Sequence, residues 1–261
     1  MNNTPPPPPT ASEALTALGQ DYWEEAMAFS PTWATYLGDR RYDDRLNDRS
    51  LKAHEEWSST QQHFLVELRR IPRQDLTASE RVTADILEFE LETSLESSRN
   101  CAGHLWEVDQ LYGLQVQLMG LPNSHTISSA RDVETLLSRY LAMGKAFDDK
   151  IANLRHGLAK GYTAPQINIK RVIAQLEDLI ARDIESLSLW KTPRDSAMKF
   201  SPSWEADARA AIQDSLVAGL TRYRDFLSDE LLPKARVEIG VTAMPGGQGC
   251  YAARAWRSTG V

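Results

Sequence analysis

The stretch that decides the fold class covers residues 130–158 and reads ARDVETLLSRYLAMGKAFDDKIANLRHGL. Its inward positions recur at alternating steps of four and three residues, and they are Val133, Leu137, Tyr140, Gly144, Phe147, Ile151, Leu154 and Leu158. In an α-helix that spacing forms one narrow apolar seam, as in a helical bundle or an antiparallel hairpin. We therefore predict one long helix over 130–158.

The segment after this helix predicts a second helix packed antiparallel to it. Gly157 and Gly161 are typical of a helix end, and Thr163-Ala164-Pro165-Gln166 has the spacing of a capping box with an early proline. Because only a short loop separates the two helices, we expect them to form an antiparallel hairpin.

Helical patterns extend over most of the remaining chain. Two more capping boxes begin at Thr10 and Thr77, and a last long helix is predicted over 203–232, before Pro233. No alternating apolar and polar run bounded by turn residues predicts a strand. The expected fold is mostly α, a multi-helix bundle or array with long antiparallel helix hairpins and no substantial sheet.

The chain divides into three parts by composition. Residues 1–11 include a proline-rich segment that we expect to be a disordered tail. No linker-like segment interrupts residues 12–239, which are expected to form a single helical domain. After Gly240 the sequence becomes glycine-rich, and we expect residues 240–261 to be the start of a missing C-terminal half.

Charge and hydropathy exclude two classes of partner. The net charge is −7 and the isoelectric point is about 5.3, so a nucleic-acid-binding surface is not expected. No run approaches the roughly 18 apolar residues of a membrane span. The N-terminus lacks the features of a Sec-type signal peptide, and we therefore expect a cytoplasmic protein.

The two cysteines, Cys101 and Cys250, lie far apart in sequence and not at a metal-like spacing. The sequence leaves open whether the two cysteines form a disulfide. Without an export signal, two buried or free thiols are the favoured interpretation.

The nearest approach to a zinc motif is His54-Glu55-Glu56-Trp57-Ser58. A zinc peptidase helix needs two histidines one turn apart, and Ser58 stands where the second histidine would be. No two of the five histidines are four residues apart, so we predict no metal ligand, no catalytic residue and no cofactor in this chain. The sequence leaves open the alternative of a metal site that is assembled from distant segments.

Residues 30–48 read SPTWATYLGDRRYDDRLND and interleave aspartates with arginines. The glycine and glutamate spacing of a calcium loop is absent, so an ion-pair network that fixes a turn is the better interpretation. Residues 105–113 mix aromatic with polar side chains. Such a mixture either lines a cleft or lies at a junction in the core.

Four segments, taken in order, resemble the N-terminal half of the bacterial "domain of unknown function 885" family. They are residues 31–50, 108–113, 154–176 and 232–251. Members of that family look like zinc metallopeptidases with a helical, gluzincin-like architecture and a deep groove between two halves. The resemblance implies that Asp109, Gln110 and Tyr251 approach the substrate groove.

The same resemblance implies what this chain does not carry. Family members have a His-Glu-x-x-His zinc helix in their C-terminal half, and this sequence has no such motif. We therefore expect an N-terminal portion of a zinc-dependent peptidase or hydrolase, inactive by itself, with zinc only in a full-length relative. Its expected partners are a missing C-terminal half or a peptide substrate. The alternative is a stand-alone helical module that binds peptides or other proteins without catalysis.

Overall fold

The structure is a computed structural model, and it describes residues 8–260. The helices are α1 (Ala11–Phe29), α2 (Pro31–Tyr36), α3 (Leu51–Arg70), α4 (Ala78–Asn100), α5 (Leu114–Gly120), α6 (Ala130–Leu141), α7 (Met143–Ala159), α8 (Gln166–Ala181), α9 (Ser188–Ala197), α10 (Trp204–Ala211), α11 (Ala218–Phe226) and α12 (Gly247–Thr259). Within residues 8–260 no strand forms, and Pro165 and Arg236 make an isolated bridge. The predicted mostly α fold is confirmed. Most of the predicted proline-rich tail lies outside the described residues.

Three apolar clusters hold the helices of residues 8–260 together, and the two larger ones contain most of the buried side chains. The largest one spans α5 to α11 and has the fully buried Trp204, Tyr140 and Phe147 near its centre. The second one joins α1, α3 and α4 around Phe64, Leu68 and Leu91. Burial of such side chains contributes about 1.5–3 kcal/mol each, so these two clusters dominate the stability of the fold.

Two of the three predicted capping boxes are confirmed. Thr10 caps α1 and Thr77 caps α4, each with the glutamate three residues on reaching back to the cap backbone. The box predicted at Thr163 is wrong, because α8 begins at Gln166. The Thr163 hydroxyl accepts a hydrogen bond from the Arg236 amide, and the Gln166 amide donates to the Arg236 carbonyl. A distant segment therefore supplies the contacts that a local cap would have made.

The single helix predicted over 130–158 is wrong, because it is interrupted at Ala142, between α6 and α7. Ser215 explains the interruption. Its hydroxyl donates to the Leu141 carbonyl and accepts from the Gly144 amide, both at 2.8 Å. A side chain inserted in this way satisfies the backbone groups that a continuous helix would have paired internally.

The last long helix is confirmed as continuous helical backbone from Trp204 to Lys234. It includes two π-helical stretches, Ile212–Val217 and Leu227–Leu231. Such stretches insert an extra residue into a turn and rotate the following side chains around the axis. The first of them carries Ser215, the residue that lies in the α6–α7 break.

The predicted ion-pair network in residues 30–48 is confirmed and extends to α6. Asp43 is buried, pairs with Arg40 at 3.1 Å and accepts the Thr35 hydroxyl at 2.6 Å. Arg139 of α6 is fully buried and donates to the Thr35 hydroxyl. It also donates to the carbonyls of Pro31, Tyr42 and Arg45. One arginine therefore fixes the whole turn against α6.

The favoured interpretation of the cysteines as thiols is wrong. Cys101 ends α4, Cys250 lies in α12, and the two form a disulfide with a Cα–Cα distance of 4.4 Å. The sequence separation of 149 residues hid this pairing, which arises because α12 packs along α4. The contact also includes an Arg257–Glu90 ion pair at 2.8 Å. The domain boundary at 239 stays a prediction.

Candidate functional site

A cavity of about 600 Å³ opens between the start of α3, the middle of α7 and the segments 104–114 and 236–241. That volume is in the range of small-molecule sites. The basic side chains in its wall are Arg49, His54, His104, Lys150, Arg236 and Arg254. The acidic side chains are Glu107 and Asp109.

Helices α3 and α7 position the deepest polar groups of this cavity. Arg49 directly precedes the cap of α3, while Lys150 and Asn153 lie three residues apart on one face of α7. The Asn153 amide donates to the Arg49 carbonyl at 2.7 Å, which ties the two helices together. The Arg49 guanidinium donates to Gln117 Oε1, also at 2.7 Å.

Two histidines from distant segments meet in the cavity wall. The rings of His54 and His104 stack with centroids 4.1 Å apart and planes at 14°. Burial is the main cause that lowers the pKa of His104 to about 4, and His54 and Lys150 add to the decrease. Burial also lowers the pKa of His54, with Arg49 and Lys150 contributing. Both rings are therefore uncharged at pH 7 and stack without charge repulsion.

Lys150 is the second unusual base of the cavity. Burial lowers its pKa to about 7, and the neighbouring Arg49 adds to the decrease. An exposed lysine stays charged up to about pH 10. Lys150 instead changes its charge close to neutral pH.

The acidic groups of the wall are already engaged. Glu107 forms an ion pair with Arg254. One Asp109 oxygen accepts the amides of Leu111 and Tyr112, at 2.6 and 2.7 Å. Neither of these carboxylates forms an ion pair with Arg49 or Lys150.

Arg236 holds the loop that closes one side of the cavity. Its guanidinium donates to the carbonyls of Thr163, Glu238 and Gly240. These three bonds explain why an arginine lies at this position without a carboxylate, and they give it a structural role.

The described residues do not fit a zinc centre. No three His, Cys, Asp or Glu side chains of residues 8–260 are grouped so that they could hold a metal ion. His54 and His104 stack face to face, and Ser58 provides no second histidine on α3. We therefore derive no chemical step through a metal on this chain.

The three residues expected near a substrate groove are not brought together. Asp109 lines the cavity. Gln110 and Tyr251 are not among its lining residues. The backbone carbonyl of Gln110 accepts a hydrogen bond from the Gln175 side-chain amide at 2.9 Å, and Tyr251 is 63% exposed on α12. A role for any of them at a substrate stays a prediction.

Part of the segment 105–113 lines the cavity, as the cleft interpretation predicts, while Leu105 and Val108 are buried, as the core interpretation predicts. Trp106, Glu107, Asp109 and Tyr112 are all in its wall. The basic residues of the cavity wall were not predicted from the sequence. The only sequence signal for Lys150 is a lysine and an asparagine three apart beside the apolar seam, and many exposed helix faces share that pattern.

Comparisons with known proteins identify the family. A family profile described as "Bacterial protein of unknown function (DUF885)" matches residues 31–261. The chain belongs to the DUF885 family. The expected membership is thus confirmed, while the peptidase-like architecture stays a proposal. No curated protein matches the chain.

A solved structure shows the same fold as this DUF885 chain. It is described as "the putative lipoprotein from Colwellia psychrerythraea", and it superposes with a TM-score of 0.76 at 14% sequence identity. The match covers 96% of this chain and 46% of that one, so the chain spans less than half the length of its solved relative. No helix of the described part is long and apolar enough to cross a membrane.

Proposed function

We propose that this chain forms one wall of a substrate groove in a zinc-peptidase-like DUF885 protein and does not hydrolyse peptides by itself. The observation that carries the proposal is the polar cavity built from segments 49–54, 104–114, 150–153 and 236–254. It combines charged groups, aromatic rings and a buried amide, and aromatic surface with a few convergent polar groups is typical of a ligand-binding pocket. The partner that completes the groove is a C-terminal half of the kind the family resemblance implies.

An apolar rim beside the cavity supports this proposal. Leu111, Tyr112, Val237 and Ile239 are between 65% and 78% exposed, and two of them, Tyr112 and Ile239, line the cavity mouth. Clusters of exposed apolar side chains of this kind mark surfaces that are covered by a ligand or a partner. A second half of the protein, or the peptide itself, would cover this rim.

Photo-crosslinking tests whether peptides enter the cavity. A benzoylphenylalanine at Tyr112 should capture biotinylated pentapeptides, whereas the same probe at Val82 should not. Val82 is the matched control because it is 58% exposed on α4 and outside the cavity. Equal labelling at both positions would contradict the groove. A probe at Tyr251 tests in the same experiment whether that residue approaches the substrate.

The absence of catalysis needs its own measurement. The purified chain should leave quenched fluorescent peptides intact with and without added zinc. Hydrolysis that stops with a chelator and returns with zinc would show that the chain is a complete enzyme. The matched reference is the longer reading frame, if the coding DNA continues past Val261 into a His-Glu-x-x-His sequence.

A stand-alone binding module is the second candidate function, and one observation favours it. Helix α12 is folded onto α4 and fastened by the Cys101–Cys250 disulfide, so the C-terminal segment is packed within this chain. A module of this kind should unfold cooperatively and bind no hydrophobic dye in its native state. Strong dye binding before unfolding would instead favour a half-protein with an uncovered face.

The cytoplasmic location expected from the N-terminal sequence stays a proposal. The disulfide weighs against it, because disulfides persist mainly in oxidising compartments. Fractionation of a native host, with thiol trapping of Cys101 and Cys250, would decide between the two.

A further inference from the structure

Two cations of the cavity lack the partners that other basic residues of this chain have. Most arginines form ion pairs with carboxylates, as Arg69, Arg155 and Arg222 do. Arg49 donates to the neutral Gln117, and neither Arg49 nor Lys150 pairs with a carboxylate of residues 8–260. In a chain of net charge −7 this is a local excess of positive charge.

Such an excess is costly unless an anion compensates it. Two neighbouring cations that are partly withdrawn from water lose hydration and repel each other, and burial accordingly lowers the pKa of both Arg49 and Lys150. The carboxylates of the wall are engaged with Arg254 and with backbone amides. The lowered pKa values of the stacked histidines mean that they add no further positive charge beside the two cations.

A buried amide beside these cations completes the site. Asn153 is 2% exposed and lines the cavity, and its Oδ1 has no hydrogen-bond partner among the described residues. A buried acceptor without a partner is unfavourable, and a ligand N–H would supply the missing hydrogen bond. Cations and an acceptor close together match a carboxylate that has an amide N–H beside it.

We propose that Arg49 and Lys150 bind a carboxylate group of a peptide and that Asn153 accepts an N–H of the same peptide. This assignment rests on the proposed function, since it names the chemistry that the groove wall selects. Trp106, Leu114 and Ile239 lie in the same cavity and provide apolar surface for the adjoining side chain. The carboxylate comes from either a peptide C-terminus or an acidic side chain.

Calorimetric titration of the purified chain at pH 6.5 tests this site. Acetyl-trialanine with a free C-terminus should bind at least about tenfold more tightly than its amide, because charged hydrogen bonds to a carboxylate are strong. The amide of acetyl-alanyl-glutamyl-alanine tests the second source. Tight binding of that peptide would assign the site to an acidic side chain.

Arg49→Gln and Lys150→Met should each bring the acid-to-amide ratio to within about twofold. Arg81→Gln and Lys199→Met are matched controls, because they remove the same charges at exposed positions outside the cavity and should keep the tenfold preference. Thermal melts of all four variants test whether each of them folds.

The outcomes separate this inference from the groove proposal. Equal binding of acid and amide, with peptide captured at Tyr112, would overturn the carboxylate site and leave the groove in place. A preference that survives in both cavity variants would overturn the assignment to Arg49 and Lys150. No peptide binding together with no capture at Tyr112 would overturn both proposals.

Discussion

At the scale of single residues, the charged form of Lys150 lowers the free energy of unfolding because the cavity disfavours a charge there. Its pKa is lowered from 10.5 to about 7, so between these values the unfolded chain binds a proton that the folded chain has released. The free energy of unfolding therefore rises with pH over this range, and the full penalty of the buried charge is present below pH 7. Binding residues commonly carry such a cost.

Lys150→Met should consequently stabilise the protein while it weakens carboxylate binding. At pH 6.5 we expect the free energy of unfolding to rise by about 1–2 kcal/mol, because methionine fills the site without a charge. The gain should shrink as pH approaches 10. Urea unfolding at pH 6.5 and 9.5 measures both values. A lysine of purely structural value would give the opposite sign at pH 6.5.

His104 makes the free energy of unfolding depend on pH in the acidic range. Its pKa is lowered from 6.5 to about 4, so protons bind the unfolded chain first and stability contributed by the neutral ring is lost as pH falls from 6.5 to 4. His104→Asn should remove about 2 kcal/mol of this dependence. The comparison is urea unfolding of both proteins at pH 7 and 4.5. Gln20→Asn, at an exposed position of α1, changes no titratable group and should leave the wild-type dependence unchanged.

At the scale of elements, helix existence follows from local pattern, whereas helix breaks follow from tertiary contacts. The seam over 130–158 and the caps at Thr10 and Thr77 can be predicted from the sequence, because each depends on residues that lie about one helical turn apart. The break at Ala142 depends on Ser215, more than seventy residues away. The cavity is hidden for the same reason, since Arg49 and Lys150 line one cavity only after the segment before α3 is joined to α7 by the Asn153–Arg49 hydrogen bond.

Helix α7 packs so closely against the backbone of Leu105 that only glycine fits at position 157. A Cβ at this position of α7 would clash with the carbonyl oxygen of Leu105 and lie 2.8 Å from its carbonyl carbon. Gly157→Ala should therefore destabilise the protein by about 1–3 kcal/mol and displace His104 next to it, although alanine is the better helix former. Gly19→Ala is the control, with no atom within 4 Å, and should be neutral or slightly stabilising. Thermal melts with the trialanine titration check both effects, and a stabilised Gly157→Ala would refute the close crossing.

At the scale of the whole molecule, α12 connects the cavity to the α1, α3 and α4 cluster. It packs on α4 through the disulfide, and it carries Arg254, which pairs with Glu107 in the cavity wall. The C-terminal segment is therefore part of the site as well as part of the fold. Loosening α12 should affect binding and stability together.

Reduction of the Cys101–Cys250 disulfide tests this coupling. The bond closes a loop of 149 residues, for which the chain-entropy model gives about 4–5 kcal/mol of stabilisation. The double variant Cys101→Ala, Cys250→Ala should lose about 3–5 kcal/mol and bind trialanine acid more weakly, because Arg254 and Glu107 lose their fixed spacing. Urea unfolding and titration with and without dithiothreitol measure both changes, and the reductant should alter the wild type while leaving the double variant unaffected. A wild-type protein indifferent to the reductant would show that α12 stays packed on α4 by its side-chain contacts and that the disulfide does not set the geometry of the cavity.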